Sequence, residues 1–71
     1  MLTIEQIISH IEEVIAHDRL TGDHEALRRT QYAAGMLMHA AENAGDKSTA
    51  KRFQLLAAQA ANKREEILGD A

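Results

Sequence analysis

The apolar residues of this 71-residue sequence recur at helical spacing in three separate segments. In the first segment they repeat every three or four residues and fill a stripe of about 120° on a helical wheel. Its members are Ile4, Ile7, Ile8, Ile11, Val14 and Ile15. Thr3 and Gln6 precede most of this stripe with the spacing of a capping box. The pattern predicts a one-sided amphipathic helix over residues 4–19.

The second segment is rich in alanine and lacks proline, and it predicts a central helix over residues 23–44. Its apolar positions cover about 200° of the wheel, roughly twice the stripe of an ordinary surface helix. They are Ala26, Leu27, Thr30, Ala33, Ala34, Leu37, Met38, Ala40, Ala41 and Ala44, with Met36 at the border. Because most of these side chains are methyl groups, we expect two neighbouring helices to approach this one closely.

The third segment predicts a helix over residues 47–68. One face of it carries Ala50, Phe53, Leu56, Ala57, Ala60, Ala61, Ile67 and Leu68, whereas Leu55 points away from that face. The glycines Gly22 and Gly45 break the pattern and leave only short connections, which favour antiparallel neighbours. We therefore predict a single all-α domain over residues 1–71, an up-down-up three-helix bundle built on a long Ala-rich helical hairpin.

Two charged residues fall on otherwise apolar faces of the predicted helices. Asp18 lies near the carboxyl end of the first helix and Arg64 near the carboxyl end of the third. In an up-down-up bundle these two ends meet, and an unpaired charge on an apolar face is costly. We therefore expect Asp18 and Arg64 to form an ion pair.

The size of the chain predicts self-association. At 71 residues a single core seldom supplies more than about 3 to 5 kcal/mol, and small natural domains usually add disulfides, a metal or oligomerisation. The sequence has no cysteine, which excludes disulfides and thiolate metal sites. We expect a homo-oligomer whose apolar interface uses the second and third helices, with Leu55, Met36 and Met38 as interface residues.

The charge pattern narrows the classes of partner. A formal net charge of −3 argues against a general nucleic-acid binder, and two long helices joined as a hairpin do not resemble a helix-turn-helix DNA reader. No apolar run is long enough to span a membrane, and acidic residues interrupt the amino-terminal segment where a secretory signal would be unbroken. We expect a cytoplasmic protein that binds neither membranes nor DNA.

Candidate catalytic and metal-binding residues are few. His10, Glu13 and His17 lie within two turns of one helix face, but their spacing differs from that of the zinc-protease motif, and a solvated face explains them better. The serines and threonines occupy exposed or capping positions without an adjacent base in a dry pocket. The sequence therefore predicts no enzyme, no metal site and no cofactor.

One row of residues on the second helix is not needed by the predicted core. Arg28, Tyr32, Gly35 and His39 lie opposite the apolar arc. Tyr and Arg are the residue types that often dominate binding energy at interfaces. Glycine inside a helix costs about 1 kcal/mol relative to alanine, so its presence in an Ala-rich helix suggests close approach of another molecule. We predict that this row binds a partner.

Two function classes remain open. The leading hypothesis is a non-catalytic protein–protein interaction module, a small helical adaptor, regulator or inhibitor that acts as an oligomer. Its size is typical of the small proteins with which phages and mobile elements block host machinery. The alternative is an oligomer that binds a nucleotide or other anionic small molecule at a subunit interface, since Arg28-Arg29-x-x-Tyr32 combines cations with an aromatic ring. The similar segment Lys51-Arg52-Phe53 is a weaker candidate, because Phe53 falls on the apolar face.

Overall fold

The computed structural model describes residues 1–69 and contains three α-helices packed together, with no strand in this part of the chain. Helix α1 spans Ile4–Thr21, helix α2 His24–Asn43 and helix α3 Lys47–Gly69. The predicted all-α class is confirmed. Helix α1 continues through Leu20 and Thr21, two residues beyond its predicted end at residue 19. The helix ends only at Gly22, whose left-handed backbone (φ 71°) terminates it.

The helix starts follow the local chemistry of their first residues. Thr3 and Gln6 form the predicted capping box: the Thr3 hydroxyl accepts the Gln6 amide at 3.1 Å, and the Gln6 side chain accepts the Thr3 amide at 2.9 Å. Asp23 caps α2 by accepting the Ala26 amide at 3.0 Å. Asp46 caps α3 in the same way, through the Thr49 amide at 3.1 Å. These bonds satisfy amides that the helices themselves leave unpaired.

The core lies where the three helices meet. Its buried side chains are Ile8, Ile15, Leu27, Ala34, Phe53, Leu56 and Ala60. Phe53 is fully inside, as its place on the apolar face predicts. Small residues on both sides of the hairpin let α2 and α3 pack along most of their length, and that contact is the most extensive in the fold.

The buried face of α2 is narrower than its apolar arc. Full burial is limited to Leu27, Ala34 and Ala41, which follow one another at seven-residue intervals. Four other residues that the wheel placed on or beside the apolar arc are exposed, namely Ala33, Met36, Ala40 and Ala44. Helix α2 contacts two neighbours, α1 and α3, as the width of its apolar arc predicts, but these two helices leave part of the arc exposed. Helix α1 lies against only part of it, because its contact with α2 is much smaller than that of α3.

Within residues 1–69, two exposed ion pairs join α1 to α3. Near the start of α1, the Glu5 carboxylate receives both terminal nitrogens of the Arg52 guanidinium, and Arg52 Nη2 donates to Glu5 Oε2 at 2.9 Å. Near its end, Arg19 Nε lies 3.7 Å from Glu66 Oε1. Glu5 and Arg52 are 47 positions apart, and Arg19 and Glu66 have the same separation along the sequence.

The predicted ion pair between Asp18 and Arg64 is wrong. Asp18 is only 8% exposed, but its carboxylate forms no ion pair with any described residue, and the buried Arg64 Nε has no hydrogen-bond partner within residues 1–69. The two helix ends are instead joined one residue further along α1, by Arg19 and Glu66. In the register of the two observed pairs, whose members are 47 positions apart, Asp18 comes level with Glu65 and not with Arg64.

Candidate partner-binding surface on helix α2

The row predicted on α2 lies at the surface. Arg28, Tyr32 and His39 are all exposed, and the Tyr32 side chain retains 59% of its accessible area. Gly35, between the two larger residues of the row, is half-buried, yet a Cβ added there would meet no heavy atom within 4 Å outside its own helix backbone. The four residues therefore form an accessible strip, with bare backbone at its centre. We call this strip, together with Met36, the α2 surface.

Arg28 and Tyr32 hold each other in a defined arrangement. The Arg28 guanidinium carbon lies 5.6 Å from the centre of the Tyr32 ring, which is within the range of a cation–π contact. Arg28 Nη1 also lies 3.6 Å from the Glu25 carboxylate. The Tyr32 hydroxyl, and after it Glu25, raises the pKa of Arg28. The α2 surface thus presents a charged group and an aromatic ring in contact with each other.

Met36 belongs to the same exposed face. The sequence predicts Met36 at an oligomer interface, and in the single chain 74% of its area is accessible. Met36 follows Tyr32 by four residues, so the two side chains lie one turn apart on one side of the helix. A large flexible thioether beside an aromatic ring adds apolar contact area that adapts to different partner shapes. The helical wheel contained this signal, because it places Met36 only about 40° from Tyr32.

A polar cleft adjoins the carboxyl end of the α2 surface. It has a volume of about 440 Å³ and lies between the end of α2 and the start of α3, lined by Met38, His39, Glu42, Lys47, Ala50, Lys51 and Gln54. His39 Nδ1 lies 3.4 Å from Glu42 Oε1, a contact that becomes an ion pair when His39 is protonated. Lys47 and Lys51 form no ion pair with the described residues. The sequence did not reveal this cleft, because its two walls come from different helices.

The three residues predicted for the oligomer interface lie in three settings. Met38 is half-buried in the polar cleft, and Met36 is on the α2 surface. Leu55 is 58% exposed and lines a different groove, between α1 and α3, with Ile8 and Glu12. The Leu55 groove is therefore separate from the α2 surface.

Residues 1–69 contain neither a cluster of metal ligands nor a membrane-spanning helix. His10, Glu13 and His17 are exposed, and no group of three His, Asp or Glu side chains within residues 1–69 is placed to hold a metal ion. The three helices of this region are also too polar or too short in their apolar stretches to cross a membrane.

No protein-family model, curated protein or solved structure matches this chain.

Proposed function

We propose that this chain is a non-catalytic protein–protein interaction module, a small helical adaptor, regulator or inhibitor that acts as an oligomer, and that the α2 surface binds its partner. The observation that carries the proposal is the exposure of Tyr32 and Met36 one turn apart on a helix whose opposite side supplies the core. Large apolar side chains that the core does not use are typical of binding sites when they cluster. A cytoplasmic location, compatible with the lack of cysteine, is part of the proposal.

The proposed scaffold is an up-down-up bundle, in which α1 and α3 run in the same direction. The equal spacing of the ion pairs Glu5–Arg52 and Arg19–Glu66 supports this arrangement, because antiparallel helices would bring residues of decreasing separation together. The short turns around Gly22 and Gly45 support it as well. Such a scaffold holds α2 rigidly, so the α2 surface would meet its partner without reordering.

The chemistry of the α2 surface fits a protein partner. Tyr and Arg are enriched among the residues that dominate interface energies, and here the Arg28 and Tyr32 side chains are ordered against each other. The open space at Gly35 would admit a side chain or a helix of the partner close to the α2 backbone. Truncating a residue at the centre of an interface commonly costs about 2 kcal/mol or more, which is roughly a 30-fold loss in affinity.

The replacement Tyr32→Ala tests this proposal. Proteins captured from the source cell by the wild-type chain should be lost with Tyr32→Ala and retained with His17→Ala, a control at another exposed position of a helix. Thermal unfolding should be nearly the same for all three proteins, because neither side chain is in the core. A large fall in the melting temperature of Tyr32→Ala would instead assign the tyrosine to folding, and unchanged capture would remove it from the interface.

The polar cleft favours a second candidate function, the binding of an anionic small molecule such as a nucleotide. Lys47 and Lys51 lie one turn apart and without ion pairs to described residues, beside Gln54. A thermal-shift series with nucleotides and with inorganic phosphate separates the two functions. Binding to the native state would raise the melting temperature with ligand concentration, and Lys51→Gln would reduce the shift. No shift with any anion would leave the protein-binding function alone.

A further inference from the structure

Leu55 marks an exposed apolar position on α3, beside a groove that α1 and α3 form together. The groove has a volume of about 530 Å³, and its walls include Glu12, Arg52, Ala58, Gln59 and Asn62 above the buried Ile8 and Leu56. We propose that a second copy of this chain docks here, with its α3 antiparallel to the first α3 and a two-fold axis passing beside Leu55. The proposal rests on the self-association in the proposed function and makes no use of the α2 surface.

The charges along the groove favour a second copy of this chain as the molecule that docks there. Glu12 forms no ion pair within the described residues, although its charge acts on Arg52 from a distance. Arg52 lies nearer the start of α3, where it holds Glu5. Because Glu5 is level with Arg52, Glu12 is level with Gln59, seven residues further along. Seven residues of α-helix span about 10 Å, so Arg52 of the same chain is too far along the groove to pair with Glu12.

An antiparallel second copy brings a cation to Glu12. With the axis beside Leu55, a residue three positions before Leu55 in one copy is level with the residue three positions after it in the other. Arg52 of the second copy is then level with Ala58, next to Gln59 and Glu12. A two-fold axis perpendicular to both α3 helices places equivalent side chains of the two copies on the same side of the contact. Arg52 of the second copy therefore approaches from the side of α3 on which α1 carries Glu12.

The two-fold symmetry makes the contact between Glu12 and Arg52 occur twice, and the charges disfavour a parallel orientation of the second copy. Each Glu12 meets Arg52 of the second copy, whose guanidinium has five N–H donors and bridges Glu12 and the Glu5 of its own chain. The two Leu55 side chains meet at the centre, where the small Ala58 allows the helices to approach closely. A parallel second copy would place Arg52 level with Arg52 and Glu12 level with Glu12. Electrostatic complementarity of this kind fixes orientation and register at an interface.

Cross-linking through Leu55→Cys tests the position of the axis, since the native sequence has no cysteine. A disulfide needs Cα atoms about 4.4 to 6.8 Å apart, which only residues near the axis satisfy. Under mild oxidation Leu55→Cys should become a covalent dimer much faster than Met36→Cys, which is at least as exposed but lies on the α2 surface. Equal rates, or faster cross-linking of Met36→Cys, would overturn the proposal.

Charge reversal tests the orientation independently and remains available if the Leu55 variant does not fold. Sedimentation should give a dissociation constant for Glu12→Arg about tenfold or more above that of the wild type, because two like-charge contacts replace two favourable ones. The neighbouring Glu13→Arg changes net charge equally at an exposed position and should leave the constant within about twofold. A monomeric wild type at high micromolar concentration, or equal effects of the two variants, would contradict the inference.

These outcomes are separable from failure of the proposed partner surface. Tyr32→Ala should leave cross-linking through position 55 unchanged. If Tyr32→Ala still captured the partner while Leu55→Cys cross-linked efficiently, the dimer would stand without the assigned α2 surface. Conversely, partner capture lost with Tyr32→Ala alongside slow cross-linking of Leu55→Cys would retain the α2 surface and remove this dimer.

Discussion

Two adjacent alanines on α2 provide a test of how the helices pack. Ala34 is fully buried in the core cluster, whereas Ala33 is exposed. Replacing either by leucine changes helix propensity very little, so a difference between the variants reports packing alone. In Ala34→Leu the added carbons have no space between α2 and its neighbours, and overpacking of this kind costs about 1 to 3 kcal/mol. In Ala33→Leu they extend into solvent, where a substitution usually stays within about 0.5 kcal/mol.

Urea and thermal denaturation followed by circular dichroism measure the difference. For a domain of this size each 1 kcal/mol shifts the melting temperature by about 4 to 8 °C, so Ala34→Leu should melt at least several degrees below the wild type. Since a small core supplies only about 3 to 5 kcal/mol in total, the upper end of the expected cost would leave the variant largely unfolded. Equal stabilities of the two variants, or a larger loss in Ala33→Leu, would refute the assigned face of α2.

The remaining predictions concern the helix ends and Gly35. Asp46→Ala should lower the melting temperature by a few degrees because it removes the cap of α3, and the neighbouring Ser48→Ala should not. The hydrogen bonds from Thr49 hold the pKa of Asp46 below its ordinary value of 3.8. The stability gained from ionised Asp46 is therefore present above pH 3.8 and lost as the pH falls through its lower folded pKa, and acid titrations of unfolding should show this component in the wild type but not in Asp46→Ala. Gly35→Ala should raise the free energy of unfolding by about 0.5 to 1 kcal/mol, since its Cβ enters open space, and should weaken partner binding; equal binding with unchanged stability would argue against a special role. Gly22→Ala, at φ 71°, should instead destabilise by about 1 to 2 kcal/mol in denaturation experiments.

Local chemistry made the helices predictable from the sequence. Short-range signals determine where each begins: the Thr3 and Gln6 capping box and the caps at Asp23 and Asp46 depend on residues within four positions of one another. The core positions of α3 were equally accessible, because Phe53 and its neighbours follow a regular helical period. The predicted end of α1, at residue 19, is two residues too early. The helix continues until Gly22, whose left-handed backbone ends it.

Packing between helices was harder to predict, because it depends on distances that the wheel does not contain. The wheel gives direction only, so Ala33 and Ala40 looked as apolar as Ala34, although the neighbouring helices leave both of them exposed. The choice of ion pair failed for a similar reason. The ends of α1 and α3 do meet, but their register pairs Arg19 with Glu66 and does not bring Asp18 level with Arg64.

In the candidate site, too, features of a single helix were predictable and features that need two helices were not. The exposure of Arg28, Tyr32 and His39 follows from the direction of each side chain on one helix, so the sequence was sufficient to place them at the surface. The contact between the Arg28 guanidinium and the Tyr32 ring follows from their four-residue spacing. The clefts beside Lys51 and Leu55 required two helices to be positioned together, and no single segment of the sequence contains that information.

The most direct test of the central claim, that the α2 surface binds a protein partner, is photo-cross-linking from position 32 in the source cell. A photoreactive phenylalanine analogue replacing Tyr32 retains an aromatic ring, and the same analogue at the exposed His17 serves as the control. We expect one discrete heterologous adduct from position 32, competed by unlabelled protein and absent from position 17. Adducts with a second copy of the chain alone, or equal labelling from both positions, would contradict the claim.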